Sequence, residues 1–374
     1  MKRTTLAAAT LAVAVGLVAG GGAASAAGHA GGAETHSARV SVFATGFNNP
    51  RGLVFGPNGD LYVAEGGLGG SHSTVGKCRQ ASGAAAPYTG SSGNPVLGGR
   101  ISKVTPGGVR SAVVRGLPSS QTAPALGSLV SGVSSVAFVG HNLYALLAGA
   151  GCSHGVPNVP NGVIRVGHHG NWSLIANLSR FQRTHPVAQP EADDFEPDGT
   201  WFSMIAVGRA LYPMDSNHGE LDRVTPDGQI HRVVDISARL GHVVPTALVN
   251  HHGRFSFGNL GLFGAPDGTT PNEHVWDITR RGRVQVRASG IEQVLGLAFR
   301  HGRLYALEMS TTPGGPTPGT GALVRLHDGR PVQTIASGLD IPTGVTVGPD
   351  GAFYVSDRGF GFGAGQGRIL RIVP

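Results

Sequence analysis

Short apolar strands recur along the chain, and each is followed by a tight turn and a second strand. The second strands share an opening pair, an apolar residue followed by tyrosine, and the copies are Leu61-Tyr62, Leu143-Tyr144, Leu211-Tyr212, Leu304-Tyr305 and Phe353-Tyr354, with Phe255-Ser256 as a degenerate sixth. Turns such as Gly56-Pro57-Asn58-Gly59 and Gly348-Pro349-Asp350-Gly351 carry residues that accept positive φ. The pattern therefore predicts a repeated β-hairpin.

Each hairpin continues into two further strands. The third strands alternate apolar and polar residues, as in Arg100 to Val104, Glu220 to Val224 and Arg368 to Ile372. A turn such as Pro226-Asp227-Gly228 then leads to a fourth strand, as in Ile230 to Val234. Because the later copies are spaced by about 44 to 49 residues, near the length of one four-stranded blade, the sequence predicts an all-β fold, a six-bladed β-propeller.

The two ends of the chain are complementary in this scheme. The last unit ends at Pro374 after its third strand, while residues Ala38 to Phe47 have the character of a fourth strand. An N-terminal strand that completes the last blade gives hydrogen-bond partners to both ends and covers an open sheet edge. We therefore expect a single propeller domain over residues 38–374, with the N-terminal strand closing the last blade.

The insertions fall on one face of the predicted ring. The second-to-third connections are long and rich in glycine, proline and serine, and they run over 66–98, 149–162, 261–272, 310–321 and 358–367. Two fourth-to-first connections, 118–132 and 179–199, extend the same face. Long loops on a rigid scaffold are typical of a binding surface, although surface insertions without a function would leave the same pattern.

Acidic residues recur at one position, where the second strands end near the loop-bearing rim. They are Glu65, Asp215, Glu308 and Asp357, and the two remaining units carry Leu147 and Asn259. Carboxylates that converge there could bind a hard cation such as Ca²⁺. In the alternative interpretation, each acid accepts hydrogen bonds from backbone N–H groups and sets the geometry of its blade.

Further candidates for the ligand-binding face lie near the same rim. Arg51 stands where the first inner strand begins, and Asn259 occupies a rim position. An acidic cluster in one long loop could bind a cation, and its members are Asp193, Asp194, Glu196 and Asp198. The pairs His168-His169 and His251-His252 lie at tight turns on the opposite face, where exposed turn residues are a simpler interpretation than ligands.

The N-terminus predicts the destination of the protein. Lys2 and Arg3 precede an apolar run from Leu6 to Val18 and a small-residue cleavage pattern that ends at Ala26. We therefore expect residues 1–26 to be a signal peptide, residues 27–37 to be a flexible segment, and the mature protein to be a secreted monomer. No later stretch is long and apolar enough to predict a transmembrane helix.

The charge distribution argues against specific binding of nucleic acid. The chain has 29 Lys and Arg against 22 Asp and Glu, for a formal net charge of +7. These basic residues are spread along the chain, and aromatic residues make up only 6% of it. Specific recognition of nucleic acid needs a concentrated basic face, usually with stacking aromatic residues.

Cys78 and Cys152 are the only cysteines. In the oxidising environment expected after export, a disulfide between them is the predicted outcome. Two free thiols or a partial metal site are the alternatives, and no C-x-x-C or Cys/His spacing supports a metal.

The repeat is clearest in PRGLVFGPNGDLYVAE, from Pro50 to Glu65, and in PTGVTVGPDGAFYVSD, from Pro342 to Asp357. In these segments the chain resembles the ScyD/ScyE family, secreted proteins of the wider NHL and SMP-30-like propeller group. The resemblance covers most of the mature chain and implies the propeller fold without an assigned reaction. The SMP-30-like lactonases hold a divalent cation with Glu, Asn and Asp ligands, and that set has no residue-by-residue match here.

Two classes of function follow from these observations. Our first expectation is an extracellular binding or scaffolding protein that takes a small molecule or a protein at the loop-bearing face and channel mouth. The alternative is a cation-dependent hydrolase or lactonase-like enzyme, with Ca²⁺ as the candidate cation, that acts on a small ligand there. The sequence has no G-x-S-x-G, H-E-x-x-H, Walker or Rossmann motif that would point to another chemistry.

Overall fold

The computed structural model describes residues 38–78, 89–122, 130–190, 196–261, 273–279, 281–312 and 315–374. These residues form seven four-stranded antiparallel sheets and few helices. The all-β class expected from the repeats is therefore confirmed. The predicted signal peptide and the segment 27–37 lie outside the described residues.

Six of the sheets contain long strands and follow the predicted order of two successive hairpins. The first sheet contains β2 (Pro50–Phe55), β3 (Leu61–Glu65), β6 (Gly99–Val104) and β7 (Arg110–Leu117). The second contains β10 (Val133–Val139), β11 (Asn142–Leu147), β12 (Gly162–Val166) and β13 (Trp172–Asn177), and the third contains β14 (Trp201–Val207), β15 (Ala210–Asp215), β16 (Glu220–Val224) and β17 (Ile230–Asp235). The fourth contains β18 (Pro245–His251), β19 (Arg254–Asn259), β20 (Val275–Ile278) and β21 (Val284–Ala288), and the fifth contains β22 (Val294–Arg300), β23 (Arg303–Glu308), β24 (Gly321–His327) and β25 (Arg330–Leu339).

The sixth sheet joins the two ends of the described chain. It contains β26 (Gly344–Val347), β27 (Phe353–Asp357), β28 (Gly367–Val373) and the N-terminal strand β1 (Arg39–Phe47). β1 runs antiparallel to β28, with Arg39 opposite Val373 and Phe47 opposite Gly367. The predicted pairing of the N-terminal segment with the last strand is confirmed.

The seventh sheet is small and was not predicted. It consists of β4 (His72–Ser73), β5 (Thr89–Ser91), β8 (Ser119–Gln121) and β9 (Val130–Ser131), which come from two connections of the first sheet. These strands are two or three residues long and rich in serine. Such segments carry too few alternating apolar residues to be recognised as strands from the sequence alone.

Two short α-helices lie in connections between consecutive sheets. Helix α1 (Leu178–Thr184) follows β13, and its first turn is capped by the Asn177 side chain, which accepts a hydrogen bond from Arg180 N at 2.8 Å. Helix α2 (Ser237–Leu240) follows β17. No helix among the described residues is long and apolar enough to cross a membrane.

Apolar side chains pack between consecutive sheets. One cluster joins the first and second sheets through Ala64, Ile101, Val133 and Leu143, and a similar cluster joins each following pair of sheets. A sixth cluster, which includes Phe47, Leu61 and Ile369, joins the sixth sheet to the first. The core is thus divided among the spaces between neighbouring sheets.

Cys78 and Cys152 form a disulfide with a Cα–Cα distance of 5.8 Å, as predicted. Cys78 lies in the connection between β4 and β5, and Cys152 lies in the connection between β11 and β12. The bridge therefore attaches the small seventh sheet to a loop of the second sheet.

We expect no free thiol when the protein, purified without a reducing agent, is unfolded and labelled with a thiol reagent. The bridge spans a sequence separation of 74 residues, and removal of such a crosslink costs roughly 2 to 4 kcal/mol of unfolding free energy. The Cys78→Ser/Cys152→Ser variant should therefore melt several degrees lower. Two labelled thiols in the unreduced protein would contradict the pairing.

Candidate functional site

The first strands of the six long-stranded sheets line a central channel. Its volume is about 510 Å³, and its wall includes one apolar side chain from each of these strands, Val54, Phe138, Met204, Leu248, Leu297 and Val345. Some hydroxyls in the wall are bonded to neighbouring strands: Ser135 Oγ donates to Met204 O at 3.0 Å and Thr343 Oγ1 donates to Pro50 O at 2.6 Å. Among the described residues that line the channel, none is ionisable.

One end of the channel is bordered by an apolar group that we name the mouth cluster. It consists of buried Leu295, Met309 and Ile341 with the partly buried Phe202, Leu260, Phe360 and Phe362. Phe202 and Leu295 also line the channel. Phe360 and Phe362 lie in the connection 358–366, so the mouth cluster marks the loop-bearing end of the channel.

Arg51 is buried beside the mouth cluster, with only 5% of its surface exposed. Its guanidinium donates to Gly359 O and, at 2.8 Å, to Val130 O, and it lies 5.5 Å from the centre of the Phe360 ring. No carboxylate of the described residues forms an ion pair with it. Burial lowers the pKa of Arg51 to about 9, so the mouth carries a desolvated cationic group held by backbone carbonyls.

The rim acids bind the chain segment that leads into the first strand of their own sheet. Glu65 accepts a hydrogen bond from Asn48 N at 2.7 Å. Equivalent bonds in the other sheets run from Thr200 N to Asp215 at 3.2 Å, from Glu292 N to Glu308 at 2.8 Å and from Asp340 N to Asp357 at 2.8 Å. Asn259 contacts the same segment by donating from Nδ2 to Val243 O at 2.9 Å.

A second hydrogen bond completes each contact. The residue that follows the rim position donates its N–H to a nearby carbonyl, as Gly66 does to Asn49, Leu260 to Val244 and Met309 to Gln293, each at 2.9 Å. These three accepting residues have positive φ, 51° at Asn49, 52° at Val244 and 43° at Gln293. In the sixth sheet Gly359 N donates to Ile341 O at 3.0 Å, and Ile341 has a φ of 46°. β-Branched residues rarely adopt this conformation. The paired bonds, which we name the rim clasp, therefore hold a strained backbone position.

Three of the four rim acids also have basic partners. Glu65 lies 2.6 Å from Arg100 and 3.8 Å from Arg110, Asp357 lies 2.7 Å from Arg368, and Asp215 lies 2.8 Å from His218 Nδ1. Within the described ranges, no three or more His, Cys, Asp or Glu side chains form a group suited to hold a metal ion. Calcium binding by Glu65, Asp215, Glu308 and Asp357 stays a prediction, while the hydrogen bonds match the alternative interpretation.

Glu308 differs from the other rim acids because no cation of the described residues pairs with it. Burial raises the pKa of Glu308 to about 7. The hydrogen bond from Glu292 N lowers this pKa, whereas the nearby carboxylate of Glu292 raises it. Burial also raises the pKa of Glu292 and of Glu273. Glu308 immediately precedes Met309 of the mouth cluster, so a carboxyl group that titrates near neutrality lies next to the channel mouth.

The acidic loop is only partly described. Asp193 and Asp194 lie outside the described residues. Glu196 is buried, and its carbonyl accepts hydrogen bonds from Gly199 N at 2.6 Å and Asn217 Nδ2 at 3.2 Å. Asp198 accepts from Ser153 N at 2.9 Å and forms an ion pair with Arg183 at 3.0 Å. A cation site in this loop stays a prediction.

The sequence analysis missed a buried acidic cluster in the third sheet. Asp215, Glu220 and Asp222 are each fully buried, and Arg232 forms an ion pair with Glu220. Burial is the main cause that raises the pKa of Glu220 to about 7; Asp215 adds to it and Arg232 opposes it. Burial is also the main cause that raises the pKa of Asp222 well above its usual value, and Glu220 and Asp215 add to it. The sequence carried one indication of this burial: Glu220 and Asp222 occupy the same alternating positions of the strand as the apolar Val224.

We expect Asp222→Asn to stabilise the protein at pH 8. Asp222 is fully buried and forms no ion pair with another described residue, and its raised pKa means that ionisation disfavours folding as pH rises above the unfolded value. The gain should be about 1 kcal/mol or more, the usual cost of a buried polar group that lacks sufficient partners. It should vanish near pH 3, where the carboxyl is protonated in both states.

Denaturant unfolding at several pH values measures this gain. Asp227→Asn is the matched control, because Asp227 lies in an exposed turn of the same sheet and its pKa is lowered by hydrogen bonds from Thr225 and the backbone. The control should show no gain at pH 8. Equal stability of Asp222→Asn and the parent at every pH would contradict the expectation.

Comparison with known proteins identifies the fold and no family. No protein-family model matches the chain, and no curated protein matches it in sequence. Similar solved structures include a protein from Thermus thermophilus described as an oxidoreductase (glucose dehydrogenase), at 18% identity and a TM-score of 0.55, with 90% of this chain and 100% of that chain covered. A gluconolactonase from Xanthomonas campestris is 10% identical with a TM-score of 0.53, covering 90% of this chain and 89% of that one.

A third similar structure is a luciferin-regenerating enzyme, at 10% identity and a TM-score of 0.53, with 90% of this chain and 96% of that one covered. At these identities the likeness concerns the fold alone. The expected propeller class is supported, and the narrower resemblance to the ScyD/ScyE family stays a hypothesis.

Proposed function

We propose that the chain is a secreted, single-domain, six-bladed β-propeller in which the six long-stranded sheets are the blades. The apolar clusters between consecutive sheets, including the one between the sixth and the first, support this arrangement. The pairing of β1 with β28 supports closure of the last blade by the N-terminal strand. In this proposal the small seventh sheet is an insertion on the loop-bearing face, and the disulfide is compatible with export.

The proposed function is that of an enzyme that acts on a small molecule at the channel mouth, as a hydrolase of the lactonase type. The observation that carries it is Glu308, a rim acid with a pKa of about 7 and no cationic partner among the described residues, adjacent to the mouth cluster. A carboxyl group with such a pKa exchanges protons efficiently near neutral pH. The gluconolactonase with a similar fold agrees with this choice.

The neighbouring residues suit the same chemistry. Glu308 would take a proton from the attacking water and return it to the leaving alkoxide as the ring C–O bond breaks. Arg51, cationic and desolvated at the mouth, would stabilise the negative charge on the carbonyl oxygen. The apolar channel would receive the carbon skeleton of the substrate.

A non-catalytic binding protein is the second candidate. It is favoured by the channel wall, in which none of the described residues is ionisable. It is also favoured by Glu65, Asp215 and Asp357, whose carboxylates are already engaged in rim clasps and with basic partners. A propeller built in this way would hold a small apolar ligand without transforming it.

The enzymatic proposal is tested by measuring the hydrolysis of a small lactone, glucono-δ-lactone, in a pH-stat. We expect the rate to rise with pH around a midpoint near 7, following the pKa of Glu308. The rate of Glu308→Gln should be at least about 100-fold lower, as expected when a general base is removed. Assays with added calcium and with a chelator determine whether a cation is required.

Glu292→Gln is the matched control. It removes the carboxylate that helps to raise the pKa of Glu308 and keeps the backbone N–H bond. The variant should retain most of the rate while its pH midpoint moves lower. Absence of hydrolysis of any lactone, together with saturable binding of one of them, would replace the enzymatic proposal with the binding protein.

A further inference from the structure

The hairpin turns of the fourth sheet carry a concentration of basic residues that the proposed function does not use. One turn joins β18 to β19 and the other joins β20 to β21, and the basic residues that they bring together are His251, His252, Arg254, Arg281, Arg283 and Arg287. Both turns lie at the end of the sheet that is opposite to its long connection, 260–274. This region is therefore remote from the channel mouth.

These residues enclose two adjoining depressions. One, of about 360 Å³, is lined by His252, Arg254, Thr279, Arg281 and Arg283. The other, of about 280 Å³, is lined by His251, His252, Arg254, Ser256 and Arg287. Because His252 and Arg254 line both, they form one continuous surface, which we name the basic depression. Its size lies within the range of small-molecule sites, about 300 to 1,000 Å³.

The positive charge of the basic depression is only partly balanced. Asp277 is buried and accepts from Ser256 Oγ at 2.6 Å and Arg287 at 3.0 Å, and it lies 3.5 Å from Arg254. Arg281 and Arg283 are exposed and form no ion pair within the described part of the chain. The pKa of His251 is lowered by burial, then by His252 and Arg287, which agrees with an excess of positive charge.

We propose that the basic depression binds the phosphate or sulfate group of a small anion. Guanidinium groups present planar, bidentate donors that match tetrahedral oxyanions, and they remain charged at all physiological pH values. Arg281 and Arg283 from one turn and Arg254 from the other approach the same space, so donors can surround a ligand from two sides. The depression leaves room for an organic group attached to the anion.

Isothermal titration calorimetry with inorganic phosphate, sulfate and glycerol 3-phosphate, in chloride buffer of matched ionic strength, tests the proposal. Arg281→Gln/Arg283→Gln should weaken binding about tenfold or more, because the charge-assisted hydrogen bonds from both guanidinium groups are lost. Arg254→Gln should also weaken binding, because it removes the donor on the other hairpin turn. Arg209→Gln, an exposed arginine in the turn between β14 and β15, is the matched control and should change affinity less than about twofold.

The probes distinguish the source of the anion. Tighter binding of glycerol 3-phosphate than of inorganic phosphate would support the proposal with an organic monoester as the ligand, and equal affinities would support it with the free anion. Thermal melts check that the variants, which alter exposed side chains, stay folded. Absence of saturable binding up to about 10 mM of any probe, or binding that the three arginine substitutions leave unchanged, would overturn it.

Discussion

A chain that lacks residues 38–47 should melt far below the intact protein. These residues include β1, which pairs with β28 along its length and places Phe47, fully buried, in the cluster between the sixth and first sheets. Arg100 of the first sheet donates to Gly46 O at 2.8 Å, so the strand also contacts the next sheet. Its removal exposes the edge of β28 and an apolar surface. We expect the free energy of unfolding to fall by more than about 5 kcal/mol, which is most of the stability of a typical domain.

Thermal and denaturant unfolding of the truncated chain measure this loss. A protein that begins at residue 38 keeps the pairing of β1 with β28 and should melt like the longer chain. Phe47→Ala keeps the strand and removes one buried ring, for which the expected cost is about 3 to 5 kcal/mol. An unchanged melt after deletion of residues 38–47 would mean that β1 does not hold the first and last sheets together.

Glu65→Ala should be among the most destabilising single substitutions in the chain. The carboxylate is fully buried, accepts from Asn48 N and Ser102 Oγ, and lies 2.6 Å from Arg100. Removal of one member of a buried ion pair leaves an uncompensated charge and costs about 3 to 5 kcal/mol. Asp328→Asn removes the charge of an exposed acid paired with His327 and keeps a residue type that tolerates the positive φ of 50° at this position, so it should change the stability by less than about 0.5 kcal/mol.

The same measurements test calcium binding at the rim. If Glu65, Asp215, Glu308 and Asp357 shared a cation, calcium at one hundred times its Kd would stabilise the intact protein by about 2.7 kcal/mol, and a chelator would reverse the effect. The rim clasp instead requires no cation, because each carboxylate is bound to a backbone N–H of its own sheet. A melt insensitive to calcium and chelator, with Glu65→Ala strongly destabilised, would assign the rim acids to the clasp.

The repeat in the sequence was sufficient to predict the regular part of the fold. Hairpin turns with glycine and asparagine, and alternation in the strands between them, depend on neighbours a few residues away, so they can be recognised from local sequence. The partner of β1 could also be predicted, because the last unit lacked a fourth strand and the N-terminus supplied one. The disulfide followed from two cysteines in loops of consecutive units.

The roles of the rim acids could not be assigned in this way. Glu65 and Glu308 occupy the same position in their units, yet Glu65 meets Arg100 while Glu308 meets the carboxylate of Glu292. The pKa of a buried carboxyl depends on the charges and the solvent exposure around it, and residues distant in sequence supply both. Arg100 lies opposite Glu65 on β6, whereas Ala322 lies opposite Glu308 on β24, so the cross-strand neighbour separates these two glutamates.

The sequence by itself determined the strand order, the turns and the bridge, since these depend on local pattern and on counting units. The tertiary structure decided the burial of Arg51, the small seventh sheet and the basic depression. Arg51 is desolvated because two distant segments, near Val130 and Gly359, place their carbonyls on its guanidinium. The arginines of the basic depression stand on separate hairpins, and their convergence follows from the antiparallel pairing of β19 with β20, which places both turns at one end of the sheet.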